Sequence, residues 1–487
     1  MNPQLEVFFK EFREILGIDP IKRDYSAAFL SSDPAESTGS VHTKKDQVIN
    51  AILKRGFEVG VDDLPATMEE MKSFFETHKN SNYFEDISSK SYYRLLDLRD
   101  NADVRVVVIG DIHCDYYSLA ALLLKLSVSE YDYFENGYFV FLGDYLDRGS
   151  ALFEPLLLLI DLKEILGDRL IMLRGNHELI RYDEEKQMLE SSVLPQQTCP
   201  CLNEYCGEDK AFLKAFGYFY QTLPTYVYLK VANQNLLLTH AAVPRMIFFD
   251  KFHYDQATGA IEFEPNFILE QLQLSIESTT DDSLSSMRLL FDKALLKYRN
   301  KILYDMIWGD PSHEKEKFQI SGRFEFGSSQ FEPYASKNNI SRIFRSHEPI
   351  SGGFESFFEG QLYTIFSTGG NMNDQAGYAG VNPAFAVVKG DGSYMIENSY
   401  EYRVMTGQMA TTINNLFSRE LLVARQVGAL SLNEEFSCSD EEALLIDAVF
   451  EQVKQGFAPK EEATDAEATN ENETINPAQV EESDVNE

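Results

Sequence analysis

Apolar residues recur at helical spacing near the start of the chain. Leu5, Phe8, Phe9, Phe12 and Leu16 share one face of a helix over 3–17. Similar patterns predict helices at 45–55 and 67–78, so residues 1–99 read as a helical lead-in that packs and carries no chemistry. The character changes at Val104. VRVVVIGD is a short β-branched run ending in Gly-Asp, followed by a helical pattern from Ser118 to Leu126. The same strand, turn and helix recur at 138–144 (YFVFLGD) and 151–166, and RLIMLRGNHE runs from an apolar strand into a polar turn. A fourth apolar strand, NLLLTH, ends at His240. Buried strands alternating with helices predict an α/β fold whose sheets are covered by helices. In each unit the polar residues sit at the carboxyl end of the strand, where open α/β sheets place their ligands.

Residues 247–300, with the polar stretch SIESTTDDSLSS and then an apolar helical pattern to Tyr298, read as an insertion between core strands. Short strands with Gly turns return over 338–402 in SRIFRSHEP, QLYTIFS and AFAVVKGDGSYMIE. Two amphipathic helices are expected at 411–427 and 439–457. From Pro459 the apolar residues almost vanish, and ten acidic residues follow Lys460, the composition of a disordered tail. The division is therefore a lead-in over 1–99, a central α/β domain over 100–403 with its insertion at about 247–300, C-terminal helices over 404–457 and an acidic tail over 458–487.

Composition narrows the function. The chain has 487 residues, 44% hydrophobic and 13% aromatic, enough for a large core, and a formal net charge of −35. That charge repels phosphate backbones and anionic lipid, which argues against nucleic-acid or membrane-surface partners. Any phosphate must be handled in a local pocket that reverses the surrounding field. No apolar run approaches the roughly 20 residues that span a bilayer, and the N-terminus lacks a signal-peptide core. The expected location is the cytoplasm, or a host cytosol reached without a cleavable signal. Five cysteines do not make a disulfide scaffold; Cys199, Cys201 and Cys206 cluster without paired CxxC spacing and read as reduced thiols near a loop.

The polar strand ends collect a chemically consistent set. They hold Gly110, Asp111 and His113; Gly143, Asp144, Asp147, Arg148 and Gly149; Arg174, Gly175, Asn176, His177 and Glu178; then His240, and Arg345 through Glu348. Four of the eight histidines fall in these segments. Carboxylates, an amide and imidazoles form a mixed oxygen and nitrogen set that suits manganese, iron or zinc, whereas calcium or magnesium would want oxygen alone. Two metals need one bridging carboxylate, and Asp144 sits mid-set. Any one of these pieces alone is ordinarily a turn or a core residue; their order at the ends of successive apolar strands points to a metal site.

GDIHCD, GDYLDRG and LRGNHE, with the distal Thr239-His240 and Arg345-Ser346-His347, resemble the phosphoprotein phosphatase family within the calcineurin-like metallophosphoesterases. The resemblance covers roughly 104–400 and implies a β-sandwich flanked by helices with two divalent or trivalent metal ions (Mn, Fe or Zn). One would take Asp111, His113 and bridging Asp144, the other Asp144, Asn176, His240 and His347. A metal-bridging water would attack phosphorus, His177 would protonate the leaving oxygen, Asp147 would hold the His177 tautomer, and Arg148 would grip the phosphate. The expected partner is a phosphoprotein or phosphopeptide, with serine and threonine favoured and tyrosine open. The terminal helices and acidic tail are candidates for binding a further protein.

Departures from the family pattern touch the rim of the site. The second phosphate-gripping Arg of the family falls at Ile320, leaving Arg323 as the nearest substitute. Ala241-Ala242 replaces Gly-Gly after His240, and TGGNMNDQAG replaces a loop carrying Asn-Tyr, with Asn371-Met372 the nearest equivalent. Two other functions compete. Dinucleoside polyphosphate hydrolases share these motifs but are usually compact. A catalytically inactive scaffold of the same fold would show gaps in the ligand set, and there are none.

Overall fold

The computed structural model describes residues 43–403 except 58–63, 82–84, 86–87, 150–151, 195, 242, 281–282, 318–323 and 371–377. The helices expected at 411–427 and 439–457 and the acidic tail lie outside the described residues. Two mixed sheets form the frame. The first has five strands in the order β11, β10, β2, β3, β4, where β2 is Arg105–Ile109, β3 Tyr138–Phe141, β4 Leu170–Met172, β10 Ala384–Lys389 and β11 Tyr394–Asn398. The second has six, in the order β1, β5, β6, β7, β9, β8, from Tyr93–Asp97, Tyr226–Val231, Gln234–Thr239, Arg342–Arg345, Leu362–Ile365 and Phe354–Phe357 respectively.

Strand periodicity builds the layers. Successive side chains of a strand point to opposite faces. Val106 and Val108 of β2, Val140 of β3, and Val227 and Leu229 of β5 therefore meet in a core between the two sheets. Val107, Ile109, Phe139 and Phe141 point the other way, into helices that cover the five-stranded sheet. Those helices include α1 (Lys44–Phe57), α2 (Leu64–His78), α3 (Tyr116–Ser127), α4 (Phe153–Leu166) and α6 (Lys210–Gln221), with the short α5 (Thr198–Tyr205) before the last of them. Both faces of β2 are buried, which is why it reads as an unbroken apolar run and not an alternating one. Burying each such side chain contributes about 1.5–3 kcal/mol, and Val108→Asp would set an unpaired charge between the sheets.

The calcineurin-like sandwich expected from the motifs is what this arrangement shows. The lead-in differs in one respect. Residues 93–97, expected within a helical segment, form β1 and pair in parallel with β5 from Tyr93↔Tyr226 to Asp97↔Lys230. The doublets Tyr92-Tyr93 and Leu95-Leu96 hide the period of two from a helical reading, yet Leu96 faces the inter-sheet core and Tyr93 the opposite side. The described helices of the lead-in pack on the core: Val48, Ile52, Met71 and Phe75 are buried in the cluster that covers β2 and β3.

Between β6 and β7 the chain forms a hairpin, Phe252–Tyr254 with Ile261–Phe263, then α7 (Pro265–Glu277) and the long α8 (Leu284–Asp305). The end of α8 buries Ile302 and Leu303 against the outer face of the six-stranded sheet, and α9 (Ser328–Lys337) follows. No helix among the described residues is long and apolar enough to cross a membrane.

Candidate active site

Loops at the carboxyl ends of β2, β3, β4, β6 and β7 converge on one place. The crossing is tight. A Cβ on Gly110 would strike the Ile365 carbonyl, and one on Gly143, whose φ is +114°, would strike the backbone of Gly175. Backbone bonds sew the first two loops together, from His113 N to Asp144 O (2.8 Å) and from Cys114 N to Tyr145 O (2.9 Å). His113, Cys114, Asp144, Asp147, Arg148 and His347 all adopt positive φ, between 47° and 77°. Such backbone costs on the order of 1–3 kcal/mol per residue, and its concentration in these loops marks a site whose geometry the surrounding fold enforces.

The buried side chains point inward with their far ends tied. His113 Nδ1 donates to the Leu146 carbonyl (2.8 Å) and His240 Nδ1 to the Leu142 carbonyl (3.2 Å), so both present Nε2 to the interior. Asp144 Oδ1 accepts from His177 N (2.9 Å), which leaves Oδ2 between His113 Nε2 (3.6 Å) and His240 Nε2 (3.4 Å). His240 Nε2 lies 3.0 Å from Asn176 Oδ1 and 3.1 Å from His347 Nδ1. Asp111 Oδ1 accepts from His347 N (3.1 Å) and from the Ser346 hydroxyl. Its Oδ2 is buried without a hydrogen bond, 3.4 Å from His113 Nε2. Two groups of candidate ligands result, His113, Asp144 and His177, and Asp144, His240 and His347; Asp144 belongs to both.

The charges in this pocket act on one another at close range. Burial alone would raise the Asp144 carboxyl, but His240, His177 and His113 hold it well below the usual range. Burial opposes protonation of His113, and Asp111 and Asp144 outweigh it to push the imidazole up to about 9. His240 is raised in the same way, chiefly by Asp144 against its burial. So many lone pairs packed out of water fit a cation, because an uncompensated buried acceptor is costly.

His177, whose ring meets that of His113 edge-on with centroids 4.8 Å apart, is oriented by Asp147. His177 Nδ1 lies 2.7 Å from Asp147 Oδ2, while Oδ1 accepts from the backbone of Gln197 and Thr198, each at 2.8 Å. These donors start α5, where orphan N–H groups and the helix dipole favour an anion. Burial works against the Asp147 carboxylate, but His177 and those donors keep it lowered. The CPC segment lies in the helix that buttresses Asp147. Its thiols and that of Cys114 are free. Arg148 follows, half-buried, its amide donating to Gln197 Oε1 (2.5 Å) and its Nε making no hydrogen bond.

The structure thus brings together Asp111, His113, Asp144, Asn176, His177, His240 and His347, with Asp147 and Arg148 alongside. Arg323 and Ile320 lie outside the described residues, as do Asn371 and Met372. Sequence reasoning set Glu178 and Arg345 among the polar strand ends without giving either a role, and it missed Tyr378. Glu178 is fully buried and accepts from Asp144 N (2.8 Å), Tyr145 N (2.9 Å) and Gly175 N (2.9 Å); burial first and Asp144 second push its carboxyl up to about 7. Arg345 does not reach the site. Its guanidinium is spent on Asp310 (2.8 Å), Glu348 (2.7 Å) and the Gly309 carbonyl (3.0 Å). Tyr378 sets its ring against His113, with centroids 5.2 Å apart, just after the loop that seemed to lack a tyrosine. No periodic or motif signal marks it.

Comparison with known proteins follows the same lines. Residues 104–351 match the family described as calcineurin-like phosphoesterase. A serine/threonine-protein phosphatase 4 catalytic subunit from Eremothecium gossypii is 26% identical over 270 residues, 55% of this chain and 69% of that one. A serine/threonine-protein phosphatase 6 catalytic subunit from Caenorhabditis elegans is 27% identical over 267 residues, 54% of this chain and 64% of that one. A solved serine/threonine phosphatase from Saccharomyces cerevisiae overlays with a TM-score of 0.46 at 19% identity, covering 72% of this chain and 93% of that one.

Proposed function

The chain belongs to the calcineurin-like phosphoesterase family, and from that premise we propose that it is a metal-dependent phosphoprotein phosphatase acting on phosphoserine and phosphothreonine. The observation that carries this reading is a buried set of carboxylate, amide and imidazole ligands centred on Asp144, with the His177–Asp147 pair and Arg148 beside it. Its relatives at 26% and 27% identity are named as serine/threonine-protein phosphatases.

Asp111, His113 and Asp144 would hold one cation, and Asp144, Asn176, His240 and His347 a second. The imidazole content favours manganese, iron or zinc. Cations there would supply Lewis-acid charge toward the phosphoryl oxygens and acidify water. The residues do the rest. Arg148 offers a planar fork to the equatorial oxygens. His177 delivers a proton from Nε2 to the departing alkoxide, while Asp147 keeps Nδ1 protonated and the ring oriented. Buried loops exclude bulk water and fix these groups before substrate arrives.

A panel of phosphoserine, phosphothreonine and phosphotyrosine peptides with a diadenosine polyphosphate, each assayed with manganese, tests the reading. Hydrolysis of the first two, lost in Asp144→Asn together with metal content, is expected. Turnover of the dinucleotide alone, or full activity and metal content in Asp144→Asn, would overturn it.

A further inference from the structure

A cavity of about 790 Å³ lies beside the loop that carries Asn176 and His177. Two residues of its wall, Arg174 and Leu179, bracket that pair in the chain. Leu179 is two residues from His177, so their Cα atoms are within about 7 Å. Ile307, also in the wall, precedes Trp308, whose ring packs 5.9 Å from that of His347.

The charge of this cavity is opposite to that of the protein. Acidic residues outnumber basic ones 78 to 43 in the chain, yet the wall holds Arg174, Arg245, Lys293, Lys297 and Lys301 against one carboxylate, Asp305. That carboxylate is already engaged, with Arg245 Nε 3.1 Å from its Oδ1 and Arg245 N 3.1 Å from its Oδ2. The three lysines recur every four residues along α8 and stand on one face. Lys293 and Lys297 are exposed, and neither forms an ion pair with a described residue. Exposed lysines on a helix are ordinarily a solvated face. Here they line a cavity whose wall also holds Phe248 and Leu303, and apolar walls focus the field.

We propose that this cavity is a specificity subsite for acidic side chains flanking the phosphorylated residue of the substrate. The inference rests on the phosphoprotein reading above and deepens it. Extended peptide covers about 3.3 Å per residue, so the residues that would enter this cavity are ones a few positions from the phosphoresidue. An acidic protein needs such a local field to draw an acidic peptide at all.

The test compares the wild-type protein with the double substitution Lys293→Glu and Lys297→Glu, at exposed helix positions. Substrates are a phosphoserine peptide flanked by glutamates, the same peptide flanked by neutral residues, and para-nitrophenyl phosphate. The wild type should prefer the acidic peptide by about tenfold in kcat/KM at low salt, the scale of a few rim charges. In the variant that ratio should fall to one or below with para-nitrophenyl phosphate turnover unchanged, and the wild-type preference should shrink at 0.5 M salt by screening. An unchanged ratio, or an equal loss on all three substrates, would overturn the proposal. A separate arm follows anisotropy of a labelled glutamate-rich peptide without phosphate. Binding lost in the variant supports the subsite even if no phosphopeptide is hydrolysed, in which case the phosphoprotein reading alone falls. Equal binding by both proteins, or none by the wild type, removes the subsite.

Discussion

Replacing Asp147 by Asn isolates the proton-transfer step from metal binding. Asp147 Oδ1 accepts from Gln197 N and Thr198 N, both at 2.8 Å, and Oδ2 faces His177 Nδ1 at 2.7 Å. An Asn in the same pocket keeps its carbonyl oxygen on the two backbone donors, because turning the amide would set its NH2 against both. Nδ2 then confronts His177 Nδ1, and the ring answers by shifting its proton to Nε2. The imidazolium loses a charge-assisted hydrogen bond of about 1.5–3 kcal/mol, and the neutral tautomer is a poor acid. General acid catalysis contributes about 10²–10⁴-fold, so kcat on a phosphoserine peptide should fall by about two to three orders of magnitude. Para-nitrophenyl phosphate, whose phenoxide leaves unaided, should lose far less. The thermal transition should move little, since the donors of α5 stay paired. Stopped-flow and steady-state kinetics on both substrates decide it. An equal loss on the two, or a loss under threefold on the peptide, would show that the pair does not serve the leaving group.

Arg148→Lys keeps the charge but loses the fork, so KM for any phosphomonoester should rise about tenfold and kcat should fall a few-fold; steady-state kinetics with unchanged KM would remove Arg148 from the substrate. Asp305→Asn tests buried charge. Burial pushes the Asp305 carboxyl up to about 6 against the pull of Arg245. A raised carboxyl means the folded protein holds the proton more tightly between the unfolded value near 3.9 and 6, so this group costs stability as pH rises through that window. The shift of about two units corresponds to at most about 3 kcal/mol. Relative to wild type, Asp305→Asn should therefore gain stability from pH 4 to pH 6 and level off above, measured by urea unfolding in chelator; a flat difference would contradict the assignment.

How far the sequence foretold the molecule depends on where each signal sits. β2, β3 and β6 were legible because both faces are buried and the apolar run is unbroken. β1 was not, because an edge strand with Leu95 exposed and paired doublets mimics a helix face. The loops after β2, β3 and β4 carry their residues in short contiguous motifs, so their chemistry could be read in order. Tyr378 and the lysine face of α8 could not, since each acquires its neighbours only through the tertiary fold.

The contiguity of the legible motifs has a physical cause. In RGNHE each residue answers a constraint set by the next loop. Gly175 is where a Cβ would strike Asp144, Asn176 and His177 enter the site, and Glu178 turns back to accept from Asp144, Tyr145 and Gly175. Arg174 closes the turn by donating to the Glu178 carbonyl (3.3 Å). One buried carboxylate thereby fixes the loops after β3 and β4 against each other, and the ligands on both inherit that register. In RGNHE the support lies within a few residues of the chemistry, whereas the positive-φ backbone at Asp147 and Arg148 is propped from a distance by Gln197 and Thr198. Substrate choice carries no such demand. An electrostatic field of several lysines tolerates an ångström of displacement, so it can be assembled from α8, Arg174 and Arg245, far apart in the chain. The ligand loops are consequently spelled out locally, whereas the basic wall of the cavity is assembled by the tertiary fold.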